Sequence, residues 1–173
     1  MSTTHAYTCR CCHGQHDGPA LSYGAPAPDL WHPKYAKNKD SFLTEDLCVV
    51  KGKAFFIHGQ IEIPVTDTGD VFSWGVWASL SKTSFTRTTE HWDDPEREQE
   101  PPYFGWLSTE LSLYSAPTLN LKTHVHTRPL GRRPWIELEP TDHPLAVEQR
   151  HGITSARVAE IAGLVRETGG RKR

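Results

Sequence analysis

The sequence predicts an α+β fold, with a mainly antiparallel sheet of about five strands, a C-terminal helix and an N-terminal Cys/His zinc knuckle. Strand-like alternation runs through the middle of the chain, an amphipathic stripe follows it, and closely spaced cysteines precede both. A length of 173 residues is typical of one domain. We expect the knuckle over residues 1–18, an α+β unit continuous with it over 19–168, and a basic tail over 169–173.

The longest strand pattern comes from two neighbouring segments. In residues 55–65, apolar side chains alternate with a second, more polar set, which is the period of a half-buried strand. Residues 66–70 supply Gly and Asp for a turn, and residues 71–80 alternate again. We interpret 55–80 as one antiparallel hairpin. Three more strands are predicted, over residues 103–111, 118–128 and 135–139.

Helices are expected after the hairpin and at the C-terminus. Short helices are predicted within residues 31–47, 81–92 and 145–150. The second of these can be capped by Ser81, whose hydroxyl accepts from free N–H groups of the first turn. A longer helix begins at Thr154 or Ser155 and ends at Gly169. Its apolar side chains recur at helical spacing, at Val158, Ile161, Ala162 and Val165.

Charge and hydropathy indicate which partners and which cell compartment to expect. The net charge of -2 makes nucleic acid an unexpected partner, because nucleic-acid-binding domains are usually basic. No segment approaches the length of about 20 apolar residues that a membrane helix needs. The first residues lack the charged and apolar regions of a secretory signal. We therefore expect a cytoplasmic protein whose four cysteines are reduced.

The knuckle is predicted from cysteine spacing. Cys9 and Cys12 are separated by two residues, so a tight turn would direct both thiolates at one cation. Zinc prefers four tetrahedral nitrogen or sulfur ligands. His16 and Cys48 would complete this set, and a structural zinc ion would then hold the N-terminal arm against the sheet.

Other interpretations of these cysteines stay open. Cys11 and His13 compete with the proposed ligands inside the knuckle. A redox dithiol is a second interpretation, because this spacing can lower the pKa of a thiol, although the usual βαβ context is missing. Reduced cysteines without any ligand are the third.

A polar sheet face is the predicted ligand surface. Alternation over 118–128 places His124, His126 and Arg128 on one side of their strand. His58 and Glu62 share the polar side of the first hairpin strand. If these faces coincide, the five groups would converge on a ligand or a catalytic metal. The simpler interpretation is a solvated face with cross-strand pairs.

Residues 143–150 also form a motif-like run. Glu148, Gln149 and Arg150 could bind a carboxylate or a phosphate, but a short surface helix with local pairing is the simpler interpretation.

No catalytic signature accompanies these features, so the sequence favours a binding protein over an enzyme. Its partner would be another protein or a small ligand. A metal-dependent hydrolase using the His/Glu cluster and a thiol redox protein are the alternatives.

The chain resembles the bacterial family called domain of unknown function 2199. The resemblance spans residues 7–165 and implies a bacterial cytosolic protein, with Cys48 part of the same pattern as the knuckle. His13, where the family pattern has Gly, and the additional thiol of Cys11 depart from it. The matching segments are Cys9, Cys12 and His16, then 46–48, 55–57, 62–64, 74–77, 103–105, 118–122, 133–134 and 143–150.

Overall fold

The computed structural model describes residues 7–8, 15–16 and 18–169. These residues form ten strands: β1 (Tyr7–Thr8), β2 (Gln15–His16), β3 (Ser22–Gly24), β4 (Phe42–Leu43), β5 (Leu47–Val50), β6 (Ala54–Pro64), β7 (Val71–Leu80), β8 (Tyr103–Leu107), β9 (Lys122–His126) and β10 (Trp135–Leu138). They also form three α-helices: α1 (Lys82–Glu90), α2 (Pro144–His151) and α3 (Ser155–Gly169). Short 3-10 helices span Pro33–Lys37 and Arg97–Gln99.

Five strands close into a barrel. The predicted hairpin is β6 and β7, paired from Phe55 opposite Leu80 to Pro64 opposite Val71. Strands β8, β9 and β10 follow as an antiparallel meander. Strand β10 then returns to β6 as a parallel neighbour, with Trp135 opposite Gln60. Among the other strands, β3 extends β7 in parallel, and β5 and β4 continue beyond β6.

Barrel closure corrects part of the predicted architecture. The α+β class and the antiparallel hairpin are confirmed, but the sheet closes on itself, contains two parallel pairs and carries additional strands. An up-and-down meander with an odd number of strands brings its first and last strands together in the same direction. Alternation within each strand is the same in open and closed sheets, so the sequence pattern could not show closure.

Apolar side chains fill the barrel interior, and β10 lies close to β6 there. Ile57, Ile61 and Ile136 are almost fully buried in this core. A Cβ at Gly59 would lie 2.7 Å from Ile136 Cδ1 and 2.8 Å from the Pro134 carbonyl oxygen. Glycine at this position therefore permits the close approach that closes the barrel.

The helices cover the barrel and begin where predicted. Phe85 of α1 and Leu145 of α2 join the main core, as do Val158 and Ile161 of α3. Ser81 caps α1, accepting a hydrogen bond from the Ser84 N–H over 3.1 Å. No helix of the described residues has the length and apolar character needed to cross a membrane.

Two predicted strands are too long. Strand β8 ends at Leu107 rather than at residue 111, and β9 covers only Lys122–His126 of the predicted 118–128. The chain between them loops back, because the buried Thr118 hydroxyl donates to the Thr109 carbonyl over 2.9 Å. In residues 31–47, the expected short helix is the 3-10 helix Pro33–Lys37, followed by β4.

The outer face of β6 is also less polar than predicted. Phe56 and Trp77 form a second apolar cluster on the outside of the barrel with Cys48 and Val50. Partly buried side chains of the preceding segment pack against it, among them Ala25, Trp31, Tyr35 and Leu43. Chain wrapped over the barrel thus converts part of its exterior into core.

The side chain of Gln149 continues the barrel closure beyond the short contact between β6 and β10. Beyond Trp135, Gln149 of α2 accepts a hydrogen bond from the Leu138 N–H and donates one to the Ile136 carbonyl, each over 2.8 Å. These are the bonds that a neighbouring strand would form with the edge of β10. The Gln149 amide therefore replaces a strand partner at this point.

We expect Gln149→Leu to lower the free energy of unfolding by about 2 to 4 kcal/mol, because two buried backbone groups of β10 would lose their partners at about 1 to 3 kcal/mol each. Chemical denaturation measures this change. Arg150→Ala is the control on the same helix: it removes only an exposed bond to the Thr141 carbonyl, and its cost should stay below about 1 kcal/mol. Equal effects of the two changes would contradict the role of Gln149.

Candidate functional site

The predicted zinc ligands fall mostly outside the described residues. Cys9 and Cys12 are not described, and of His16 only the backbone is, paired opposite Tyr7. Cys48 is a buried free thiol in the second apolar cluster, and burial raises its pKa to about 12. The described part of the chain contains no group of three or more His, Cys, Asp or Glu residues that could hold a metal ion. The zinc knuckle therefore stays a prediction.

His58 is buried rather than presented to a ligand. Its ring is 8% exposed and stacks on Trp77, with the ring centroids 4.7 Å apart. Nδ1 lies 2.8 Å from the Glu45 carbonyl oxygen, to which it donates, and Nε2 has no hydrogen-bond partner among the described residues. Burial lowers the pKa of the ring, while the bond to Glu45 opposes this shift. His58 thus packs as a neutral aromatic ring beneath the N-terminal segment.

The other residues of the predicted ligand face form pairs. Arg128 binds Glu62 over 2.5 Å. His124 Nε2 lies 3.2 Å from a carboxylate oxygen of Glu139, and His126 Nε2 lies 2.7 Å from one of Glu137. These side chains point outward from a closed barrel, where the side chains of neighbouring strands diverge, and no group of them among the described residues could hold a metal ion. The pairs match the cross-strand alternative.

A cleft lies instead at the end of the barrel where β6 and β8 begin. Its volume is about 710 Å³, within the range of about 300 to 1,000 Å³ typical of small-molecule sites. Two loops form its walls: the acidic loop, residues 91–100, and the arginine loop, residues 127–134. Its remaining lining includes both apolar and hydroxyl-bearing side chains, among them Ile57, Thr88, Tyr103 and Pro134. We call this space the end cleft.

Arg97 holds the two walls together. The residue is 9% exposed, and its guanidinium donates to carbonyl oxygens of both loops and pairs with no carboxylate of the described residues. In the acidic loop it binds the Trp92 carbonyl over 2.8 Å, and its plane lies 5.5 Å from the Trp92 ring. In the arginine loop it binds the carbonyls of Arg128, Pro129 and Arg132. These hydrogen bonds therefore hold in place the backbone of the two loops that form the walls of the cleft.

A second network fixes the position of Tyr103 at the cleft. Arg87 donates two hydrogen bonds to Glu100, over 2.5 and 2.8 Å, and the Tyr103 hydroxyl donates a third over 2.6 Å. The bonds from Arg87 and then Tyr103 lower the pKa of Glu100 to about 2. Burial, with a smaller contribution from Glu100, raises the pKa of Tyr103 to about 12. Glu100 is thus a carboxylate and Tyr103 a neutral phenol at neutral pH.

Thr88 supplies an unused polar group. Its side chain lines the end cleft and is 8% exposed. The hydroxyl lies near enough to the Tyr103 phenol to act on its pKa, but it completes no hydrogen bond with any described residue. A buried hydroxyl without a partner costs about 1 to 3 kcal/mol. A ligand in the cleft could provide the missing hydrogen bond.

The motif-like run 143–150 has structural roles. Glu148 accepts hydrogen bonds from the Tyr114 hydroxyl over 2.6 Å and from Arg157 over 2.8 Å. Gln149 binds β10, and Arg150 donates to a backbone carbonyl. None of these three side chains is free for a carboxylate or phosphate in the way that the sequence allowed.

Sequence reasoning missed the end cleft. Its walls are loops, which carry no periodic pattern to show which side chains face each other. The available signal was compositional: residues 91–100 contain five acidic residues around a single arginine, and residues 127–134 contain three arginines and no acid. Arg97 is the single arginine in this acidic segment, which could have indicated a buried cation with a structural role.

Comparison with protein-family models gives a match over residues 8–153 to a family described as uncharacterised proteins conserved in bacteria, domain of unknown function 2199. No curated protein and no solved structure matches the chain. The family match agrees with the residues that carried the resemblance.

The lowered pKa of His58 predicts a pH dependence of stability. Below pH of about 6.5, the unfolded chain binds a proton at His58 that the folded chain binds only at lower pH. Stability should therefore fall as the pH decreases from 7 to 5. His58→Phe keeps an aromatic ring on Trp77 but cannot titrate, so its unfolding free energy should fall less steeply over this range. Denaturation at several pH values measures both slopes, and identical slopes would contradict burial of a neutral His58.

Proposed function

The chain belongs to the bacterial family of uncharacterised proteins named domain of unknown function 2199, and we propose that it acts by binding a small polar ligand in the end cleft. The observation that carries this proposal is the unpartnered hydroxyl of Thr88 in a cleft of about 710 Å³. A protein gains no stability from such a group. Its presence in the cleft is explained if a bound molecule completes its hydrogen bonding.

The surroundings of the cleft support this proposal. Arg97 fixes the loops on both sides through backbone carbonyls. In addition, an ion pair between Arg133 and Asp46 over 2.8 Å joins the arginine loop to the chain before β5. A preorganised site loses less entropy when a ligand binds. Trp92 and Leu130 add apolar surface, so the cleft combines the apolar lining and few placed polar groups typical of small-molecule sites.

The alternatives have less support. The hydrolase interpretation needed converging His and Glu groups, and the described residues offer no such metal-holding group. The redox interpretation depends on Cys9 and Cys12, which lie outside the described residues, so it stays a prediction.

Thr88→Val tests the proposed function. Valine keeps the shape and removes the hydroxyl, so stability should be unchanged or higher, whereas affinity for a cleft ligand should fall about fivefold to tenfold, the worth of one hydrogen bond of about 1 kcal/mol. Ligands are first found by screening small polar compounds against ¹⁵N-labelled protein for amide shifts around Thr88, Trp92 and Gly131.

Thr123→Val is the matched control. Thr123 also has a buried hydroxyl without a hydrogen-bond partner among the described residues, but it lies in the barrel interior and not in the lining of the cleft. This variant should leave binding unchanged. The proposal fails if no compound shifts the cleft amides, or if both variants weaken binding equally.

We further propose, from the cysteine spacing, that zinc binds Cys9, Cys12, His16 and Cys48. Elemental analysis of untagged protein should then give about one zinc per chain, and Cys9→Ser and Cys48→Ser should each abolish it with a fall in melting temperature. If Cys48 is only a packing residue, Cys48→Ser would destabilise the second apolar cluster yet retain the metal. Absence of zinc from the wild-type protein would remove the proposal entirely.

A further inference from the structure

The two walls of the end cleft carry opposite charge. The acidic loop has five carboxylates and one arginine, whereas the arginine loop has three arginines and no acid. Both loops line the same space and are joined through Arg97. The carboxylates and guanidinium groups that line the cleft itself are Asp46, Asp93, Glu100, Arg97, Arg132 and Arg133. Those that remain unpaired determine which ligand the cleft fits.

Most charges in the cleft are already satisfied within the protein. Glu100 is paired with Arg87 and hydrogen-bonded by Tyr103. Arg133 is paired with Asp46. The Arg97 guanidinium binds backbone carbonyls. These contacts shape the cleft and give Glu100 and Arg133 each an opposite charge within the protein, although Arg133 uses only its Nε in the pair with Asp46.

Asp93 and Arg132 are the exceptions among the described cleft residues. Both line the cleft and are exposed, one on each wall. Neither side chain forms an ion pair or hydrogen bond with another described residue, and they do not pair with each other. One carboxylate and one guanidinium are therefore left on opposite walls of one cavity.

We propose that the ligand of the end cleft is a small zwitterion with an apolar body, namely a free amino acid or a short peptide. This inference rests on the proposed function of the cleft. The ammonium group of the ligand faces Asp93 and its carboxylate faces Arg132, where a guanidinium can bind both carboxylate oxygens. The apolar body lies against Trp92, Leu130 and Ile57, and the Thr88 hydroxyl accepts or donates one hydrogen bond.

The other charge types fit less well. A simple anion attracted to Arg132 would lie beside the carboxylates of the acidic loop, and a simple cation at Asp93 would lie beside the arginine loop. Like charges at short range oppose binding in both cases. A neutral ligand would cover Asp93 and Arg132 without pairing either. Only a molecule with both charges pairs each wall with its complement.

The test compares ligands that differ by one charge. The probes are leucine and leucyl-leucine, with leucyl-leucinamide lacking the carboxylate and N-acetyl-leucyl-leucine lacking the ammonium. Calorimetry and amide shifts of ¹⁵N-labelled protein measure their binding at low salt, where exposed charge pairs are least screened. We expect leucine or leucyl-leucine to bind in the cleft and each single-charge derivative of the dipeptide to bind at least threefold more weakly than the dipeptide itself.

Two variants assign each charge to its wall. Arg132→Gln should weaken leucyl-leucine about threefold to tenfold but leave leucyl-leucinamide unchanged, because that ligand has no carboxylate to lose. Asp93→Asn should weaken leucyl-leucine similarly and leave the N-acetyl compound unchanged. Both residues are exposed, so thermal unfolding should match the wild-type protein. The inference is overturned if each variant weakens leucyl-leucine and the derivative that lacks the matching charge alike.

The outcomes separate this inference from the proposed function. If neutral or singly charged compounds bind the cleft, depend on Thr88 and ignore Asp93 and Arg132, the cleft is a binding site and the zwitterion assignment is wrong. If neither the zwitterions nor any screened compound shifts the cleft amides, both proposals are wrong.

Discussion

The parallel contact between β10 and β6 determines the shape of this protein. Only there does the meander meet its own beginning, and the strands are joined at Trp135 and Gln60 rather than along their length. Gly59 lets Ile136 approach, and the Gln149 amide takes over the edge of β10 where β6 no longer pairs with it. Closure directs Ile57, Ile61 and their neighbours into one interior core and leaves polar groups of the meander on a convex outside.

Closure also explains where a ligand can bind. On a convex surface adjacent side chains spread apart. His124 and His126 therefore pair with Glu139 and Glu137, in and just after β10, and not with His58. The end cleft is concave because connecting loops rise above the strands at this end of the barrel. At one end the loops carry the charges, and the buried Arg97 cation holds them in place through backbone carbonyls rather than through a carboxylate. Because carbonyl oxygens carry no net charge, this arrangement fixes the walls without neutralising the acidic loop.

Among the described residues, Arg97 is a buried arginine without an acidic partner, which indicates a structural constraint. Burial of a charge is costly unless it is paired or fully hydrogen-bonded, and Arg97 achieves this with four carbonyls and the face of Trp92. Beside these loops, the hydroxyl of Thr88 in α1 completes no hydrogen bond with a described residue, and Asp93 and Arg132 form no ion pair with one. One small region thus contains an arginine with all its hydrogen bonds formed beside polar groups that lack a partner among the described residues. This combination is expected of a site that binds another molecule.

The sequence by itself determined the α+β class, the 55–80 hairpin, the Ser81 cap and the start of the last helix, because these depend on periodicity and on local hydrogen bonding between near neighbours. It also identified the family, through motifs spread along residues 8–153. Tertiary structure alone decided that the sheet closes, that His58 and Phe56 are covered, and that residues 91–100 face residues 127–134. These outcomes depend on contacts between distant segments, since alternation shows only that a strand has two faces and not what lies against each.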